Sequence, residues 1–315
     1  MKTSTDKLSF SQKENRCELT FSNNGPFWHL CTPGNLTEIL CENDKDYRFL
    51  VSLIGIVATI TGISVIAFAV MSNHIHLILN GPEEKCRQFF TIYTDKLRYY
   101  YKRTQRYKNI SALTYDLIPI TSLAMLRTEI AYVNRNGYVA LDGYTPFSYP
   151  WSSGILYFNY CAEMMSGTPY QSLSYTEKRK VCGGRLIDLP ANYEVIEGQL
   201  SPRSLCSYKY GESFFRNAHH YFSLLTKNSE AYAEVAKRLG DTIILSDDEM
   251  FATLTHICQR EYSETRPSML PNETKLEVAK RMRRDYNATG GQIQRMLRLD
   301  ANIVSSLFGK SPLGV

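Results

Sequence analysis

No Cys-x-x-Cys pair occurs in this chain. Its eight cysteines, at 17, 31, 41, 86, 161, 182, 206 and 258, are scattered singly. None of their spacings reads as a zinc site, and lone thiols of this kind suit a reducing, cytoplasmic setting. No secretory signal is legible in the polar start MKTSTDKLSFSQKENR, so residues 1–25 read as a loose leader. A large charge surplus is also missing: 36 basic against 31 acidic residues leave +5. Such a balance permits an anionic partner without requiring one.

Charge is absent from one long stretch, LVSLIGIVATITGISVIAFAVM, Leu50 to Met71. Its length suffices to cross a bilayer. However, Thr61-Gly62 reads as a break, ISVIAFAV is β-branched and strand-like, and no basic cluster flanks the run. A buried helix followed by a central strand is expected, with no membrane partner. Tyrosine, by contrast, is abundant, with 22 residues.

Patterning divides the chain into recognisable pieces. FWHLC within 26–34 reads as a strand ending at Pro33-Gly34, and 44–60 as a helix with an acidic start. Residues 63–71 and 74–81 read as strands joined at Ser72-Asn73. A helix is expected over 83–106, a strand over 111–120, and a helix over 122–136 stopped by Gly137. The order β-α-β-β-α-β-α predicts an α+β fold, a ferredoxin-like antiparallel sheet with covering helices. Residues 155–271 form a mostly helical middle region of unknown role, with pieces at 213–226 and 229–239. Residues 272–315 resemble a helix-turn-helix segment.

Two histidines stand one residue apart in VMSNHIHLIL. In a strand, residues i and i+2 share a face, so His74 and His76 converge while Ile75 points the other way. Two imidazoles so placed can hold a divalent ion if a third ligand joins them. A histidine-triad hydrolase would need a further histidine at 78, which is Ile78.

The motif VMSNHIHLIL resembles the histidine–hydrophobic–histidine strand of the HUH nucleases. More closely, it resembles the single-tyrosine transposases, and within them the REP-associated group. AYVNRNGYV, Ala131 to Val139, is similar to that family's nucleophile helix, YPWSS at 149–153 to a further signature, and FWHLCTPG to its first strand. The resemblance spans residues 26–154. It implies Tyr132 as nucleophile and His74, His76 and Asn136 as ligands of Mg²⁺ or Mn²⁺. Asn136 lies one helical turn beyond Tyr132. The family's proline is here Gly137, and Tyr138 is a competing phenol. The implied activity is cleavage and rejoining of single-stranded DNA, near a hairpin, through a 5′-phosphotyrosine. A regulator descended from such an enzyme is the alternative. The REP-associated group is expected to act as a monomer, whereas its transposon-borne relatives pair.

KLRYYYKRTQRYK, 96–108, carries six basic residues and no acid. On a helix Arg98, Lys102 and Arg106 share a stripe, with Lys96 and Arg103 in the same basic run and tyrosines interleaved. This run is expected to meet DNA. In GGQIQRMLRLDANIVSSLFG, apolar residues recur at Ile293, Leu297, Leu299, Val304 and Leu307, Asp300 caps the second helix, and Asn302 and Ser305 are the base-reading candidates.

Overall fold

In a computed structural model, residues 8–33, 39–106, 108, 110, 113–139, 144–145, 147–227 and 247–308 are described. The chain forms two compact units, 1–225 and 226–315.

The first unit is a mixed α+β structure around a four-stranded antiparallel sheet. The strands are β1 (Phe27–Cys31), β2 (Ser64–Val70), β3 (Ile75–Asn80) and β4 (Asp116–Ile120), in the spatial order β2-β3-β1-β4. Helices α1 (Phe10–Asn24), α2 (Asp44–Thr61), α3 (Glu83–Arg103) and α4 (Leu123–Val139) interleave with them. The charge-free stretch splits as its composition suggests. Asn43 caps the start of α2 through its side chain, and Gly62 ends the helix at φ 69°, which glycine adopts without strain. β2 then begins at Ser64. Among the described residues, no helix is long and apolar enough to cross a membrane.

Pairing registers fix the two faces of the sheet. Cys31 stands opposite His76 and His29 opposite Ile78; Leu30 stands opposite Leu77. His29, Cys31, His76 and Ile78 therefore share one face with Ala67 and Ala69 of β2. Leu30, Leu77, Leu79, Phe68 and Val70 occupy the other. α4 packs on β2, β3 and β4 and brings its side chains to the histidine face. α2 and α3 pack on one another.

Four expectations need correction. The loose leader is helical over Phe10–Asn24, closed at its start by a Ser9–Gln12 capping box. It is anchored by Glu14, which pairs with Arg127 of α4 at 2.6 Å and with Arg216 at 3.0 Å. Hydrogen bonds from these arginines hold the Glu14 carboxyl down at about 2. Second, α3 ends at Arg103 rather than Arg106, because Gln105 turns the chain at φ 55°. Third, Gly137 does not stop α4. A Cβ there would lie 1.9 Å from Tyr149 Cδ1, so the glycine admits the Tyr149 ring against a continuing helix. Fourth, residues 155–225 are not a separate region. Tyr157 donates its hydroxyl to Ile66 O (2.7 Å), and Ser207 N donates to Val65 O (2.8 Å), so this segment is built onto β2. The helix expected over 229–239 lies outside the described residues.

The second unit includes helices Asp247–Tyr262, Asn272–Tyr286, Gly290–Leu297 and Ala301–Phe308. The last two pack together and are joined by Arg298–Asp300. Arg298 adopts φ 51°, a left-handed turn more often given to glycine. Asp300 accepts from Asn302 N at 2.8 Å and caps the final helix. Ile293, Leu297, Leu299 and Val304 are buried.

Candidate metal centre

β3 begins at Ile75, so His74 sits in the turn just before it and His76 inside it. Met71 N donates to His74 O (2.8 Å), closing the tight β2–β3 turn. That turn swings the half-buried His74 ring to 5.0 Å from the His76 ring, edge to face. Asn73 Oδ1 lies 2.8 Å from His74 Nδ1 and orients it.

From 58 residues further along, α4 brings Tyr132 to the same place. Its ring lies 5.5 Å from that of His76 and 6.3 Å from that of His29. The phenol is not at the mouth of a cleft; Tyr132 is 1% exposed. Asn136, one turn on, is partly exposed, and its Nδ2 is buried without a hydrogen-bond partner among the described residues. An amide whose nitrogen is unused is free to present its oxygen or to rotate. Two converging imidazoles can serve as ligands of a divalent ion, and Asn136 is the residue expected to join them. The side chain of Tyr138 lies outside the described residues.

YPWSS fixes where α4 rests. Tyr149 donates its hydroxyl to Val70 O (2.7 Å), and Val70 N donates to Trp151 O (2.9 Å). Ser153 Oγ accepts from Phe68 N (2.9 Å) and donates to Asn134 Oδ1 (2.5 Å), while Asn134 Nδ2 donates to Tyr221 (3.0 Å). Asn134 is two residues from Tyr132, so β2 and α4 are tied through one serine.

Three residues of this centre, His29, Glu129 and Cys31, are assigned no part by the sequence motifs. His29 is fully buried beside His76, its Nε2 3.1 Å from His76 Nδ1. Its other nitrogen, Nδ1, lies 2.7 Å from Glu129 Oε2. Glu129 is also fully buried, three residues before Tyr132 on α4. Both signals were legible: FWHLC alternates His29 with Cys31 just as HIH alternates its histidines, and an i, i+3 pair shares a helix face. Cys31 completes a His29–Cys31–His76 group able to hold a metal ion, with ligand atoms all within 4.8 Å of one another.

The basic run is divided by the fold. Lys102 and Arg103 are exposed, Lys96 is partly exposed with its pKa lowered by burial, and Arg98 pairs with Asp95 at 2.6 Å. Arg106 does not continue the stripe. It grips the fully buried Asp46 with both Nη atoms, at 2.5 and 2.7 Å, and Tyr100 donates to the same carboxylate. Burial raises the Asp46 pKa, but these hydrogen bonds outweigh it and the net shift is downward. Of the tyrosines there, Tyr99 is exposed, whereas Tyr100 and Tyr101 are buried. In the second unit Asn302 and Ser305 lie exposed on the final helix.

Comparison with protein-family models, with curated proteins and with solved structures found no match.

Proposed function

We propose that the chain is a metal-dependent strand transferase for single-stranded DNA, of the single-tyrosine HUH class, with Tyr132 as nucleophile. One observation carries this reading: His74, His76 and Tyr132, from a turn, a strand and a helix, gather their rings within 5.5 Å steps of one another. The order of elements from β1 to α4 and the sheet order β2-β3-β1-β4 support the ferredoxin-like core that such enzymes use.

In the proposed reaction the Tyr132 oxygen attacks the scissile phosphorus. The bond between phosphorus and the 3′ oxygen breaks as the bond between the tyrosine oxygen and phosphorus forms. The phenol loses its proton, and the departing oxygen gains one to become a 3′-hydroxyl. A second 3′-hydroxyl then reverses the step, so ligation needs no nucleotide cofactor. Mg²⁺ or Mn²⁺ held by His74, His76 and Asn136 would offset the charge developing on the phosphate. Asn134 and Ser153 hold α4 against β2 and thereby set the aim of the phenol. Lys102 and Arg103, with the exposed Tyr99, offer charge and a stacking face to a single strand. The exposed Asn302 and Ser305 are proposed to reach base edges. A single chain acting in the cytoplasm, on DNA carrying a hairpin, completes the reading.

A second reading, a DNA-binding regulator descended from such an enzyme, is favoured by the burial of Tyr132 at 1% exposure. Catalysis requires the cover over that ring to open. Incubation with hairpin-bearing single strands and Mn²⁺, followed by denaturing electrophoresis, separates the two. The transferase gives a covalent protein–DNA adduct that Tyr132→Phe abolishes and Tyr138→Phe retains. The reverse pattern reassigns the nucleophile. Binding with no adduct from the unaltered protein supports the regulator.

A further inference from the structure

We infer that His29, Cys31 and His76 form a second metal site, selective for a zinc-class ion, lying deeper than the His74–His76–Asn136 set and sharing His76 with it. The ligand atoms are His29 Nε2, His76 Nδ1 and Cys31 Sγ. All three residues are buried, on adjacent strands and one sheet face, and one ligand atom from each lies within 4.8 Å of those of the other two. The two nitrogens are 3.1 Å apart. A tetrahedral ion with nitrogen ligands at about 2.0–2.1 Å would hold them roughly 3.3 Å apart, so little movement is needed.

The far side of His29 strengthens the case. Metal-bound histidines characteristically give their other N–H to a carboxylate, which fixes ring and tautomer. Glu129 Oε2 stands 2.7 Å from His29 Nδ1, and His29 Nε2 faces His76 Nδ1. A thiolate with two imidazoles is a soft donor set. It favours zinc, or cobalt as its spectroscopic substitute, over magnesium. Three protein ligands leave one position open.

Sharing His76 couples the two sites through a tautomer. In the tautomer where His29 gives Nδ1–H to Glu129 and accepts at Nε2 from His76 Nδ1–H, the lone pair of His76 lies on Nε2. An ion at the deeper site takes Nδ1 instead. The His76 proton then resides on Nε2, and Cys31 releases its thiol proton to solvent. One imidazole thus serves one ion at a time.

The deeper site does not depend on the DNA reading, and its test does not use DNA. The full-length, metal-free, reduced protein is titrated with Co²⁺ and its near-ultraviolet and visible spectrum recorded. About one equivalent is expected to bind with a thiolate-to-cobalt charge-transfer band. Cys31→Ser should remove the band, and Cys161→Ser, at an exposed cysteine, should retain it. Glu129→Gln should weaken binding by roughly 10–100-fold. Tyr132→Phe should bind as the unaltered protein does, whatever becomes of the adduct assay. Saturation of the unaltered protein without a thiolate band overturns the site, as does a band that survives Cys31→Ser.

Discussion

The two faces of the central sheet are equally dry and chemically opposite. On one, Leu30, Leu77, Leu79, Phe68 and Val70 are at 0% exposure; on the other, His29 and His76 are also at 0%. Burying an imidazole in place of an aliphatic side chain costs free energy unless its nitrogens find partners. Here a carboxylate, two imidazoles and a phenol are assembled from β1, β3 and α4. An aliphatic face would satisfy the same backbone at lower cost. The apolar face is buried without polar cost, whereas the polar face is buried only by pairing its groups with one another.

That contrast can be broken from either side. The largest effect is expected from Tyr132→Phe: complete loss of the covalent adduct on a denaturing gel, with a melting temperature close to that of the unaltered protein. Leu77→Ala, on the opposite face of the same strand, should do the reverse. It should cost about 2–5 kcal/mol by chemical denaturation, with adduct yield per folded molecule unchanged. If Leu77→Ala abolished the adduct at full stability, the division between faces would fail. Between these lies zinc inhibition. Adduct formation in Mn²⁺ should fall as zinc is added, and Cys31→Ser should shift that inhibition to at least tenfold higher zinc.

The smallest effect tests how firmly α1 is tied to α4. Glu14 has its pKa lowered to about 2 in the folded state, so its contribution is fully present above about pH 4.5 and lost as pH falls towards 2. Denaturation at pH 6 and pH 3 should show that loss, on the order of 2 kcal/mol, in the unaltered protein and not in Glu14→Gln.

Much of the sheet could be read directly. Gly62 ends α2, the Ser72-Asn73 turn joins two strands, and the closeness of His74 and His76 is as expected, although the turn rather than strand alternation places His74. Features depending on distant partners could not. Nothing in SQKENRCELT announces that Arg127 and Arg216 will collect Glu14. Gly137 looks like a helix stop until Tyr149, twelve residues later, is found to occupy the space a side chain would need. Arg106 belongs to a basic stripe by spacing, but Asp46, sixty residues earlier, claims it. His29 and Glu129 were within reach of period-two and period-three reasoning. Their partnership spans 100 residues, beyond the reach of either local pattern.

The YPWSS segment has a consequence for how this protein can associate. β2 is the outermost strand on its side, and an outermost strand with unmet N–H and C=O groups invites pairing with another chain. Trp151, Ser152 and Ser207 already take up positions along it. Strand addition by a second copy, or by an extended peptide, is therefore blocked at that end. At the opposite end β4 carries Pro119, which has no N–H to offer. Both edges of this four-stranded sheet are thus poor sites for strand addition.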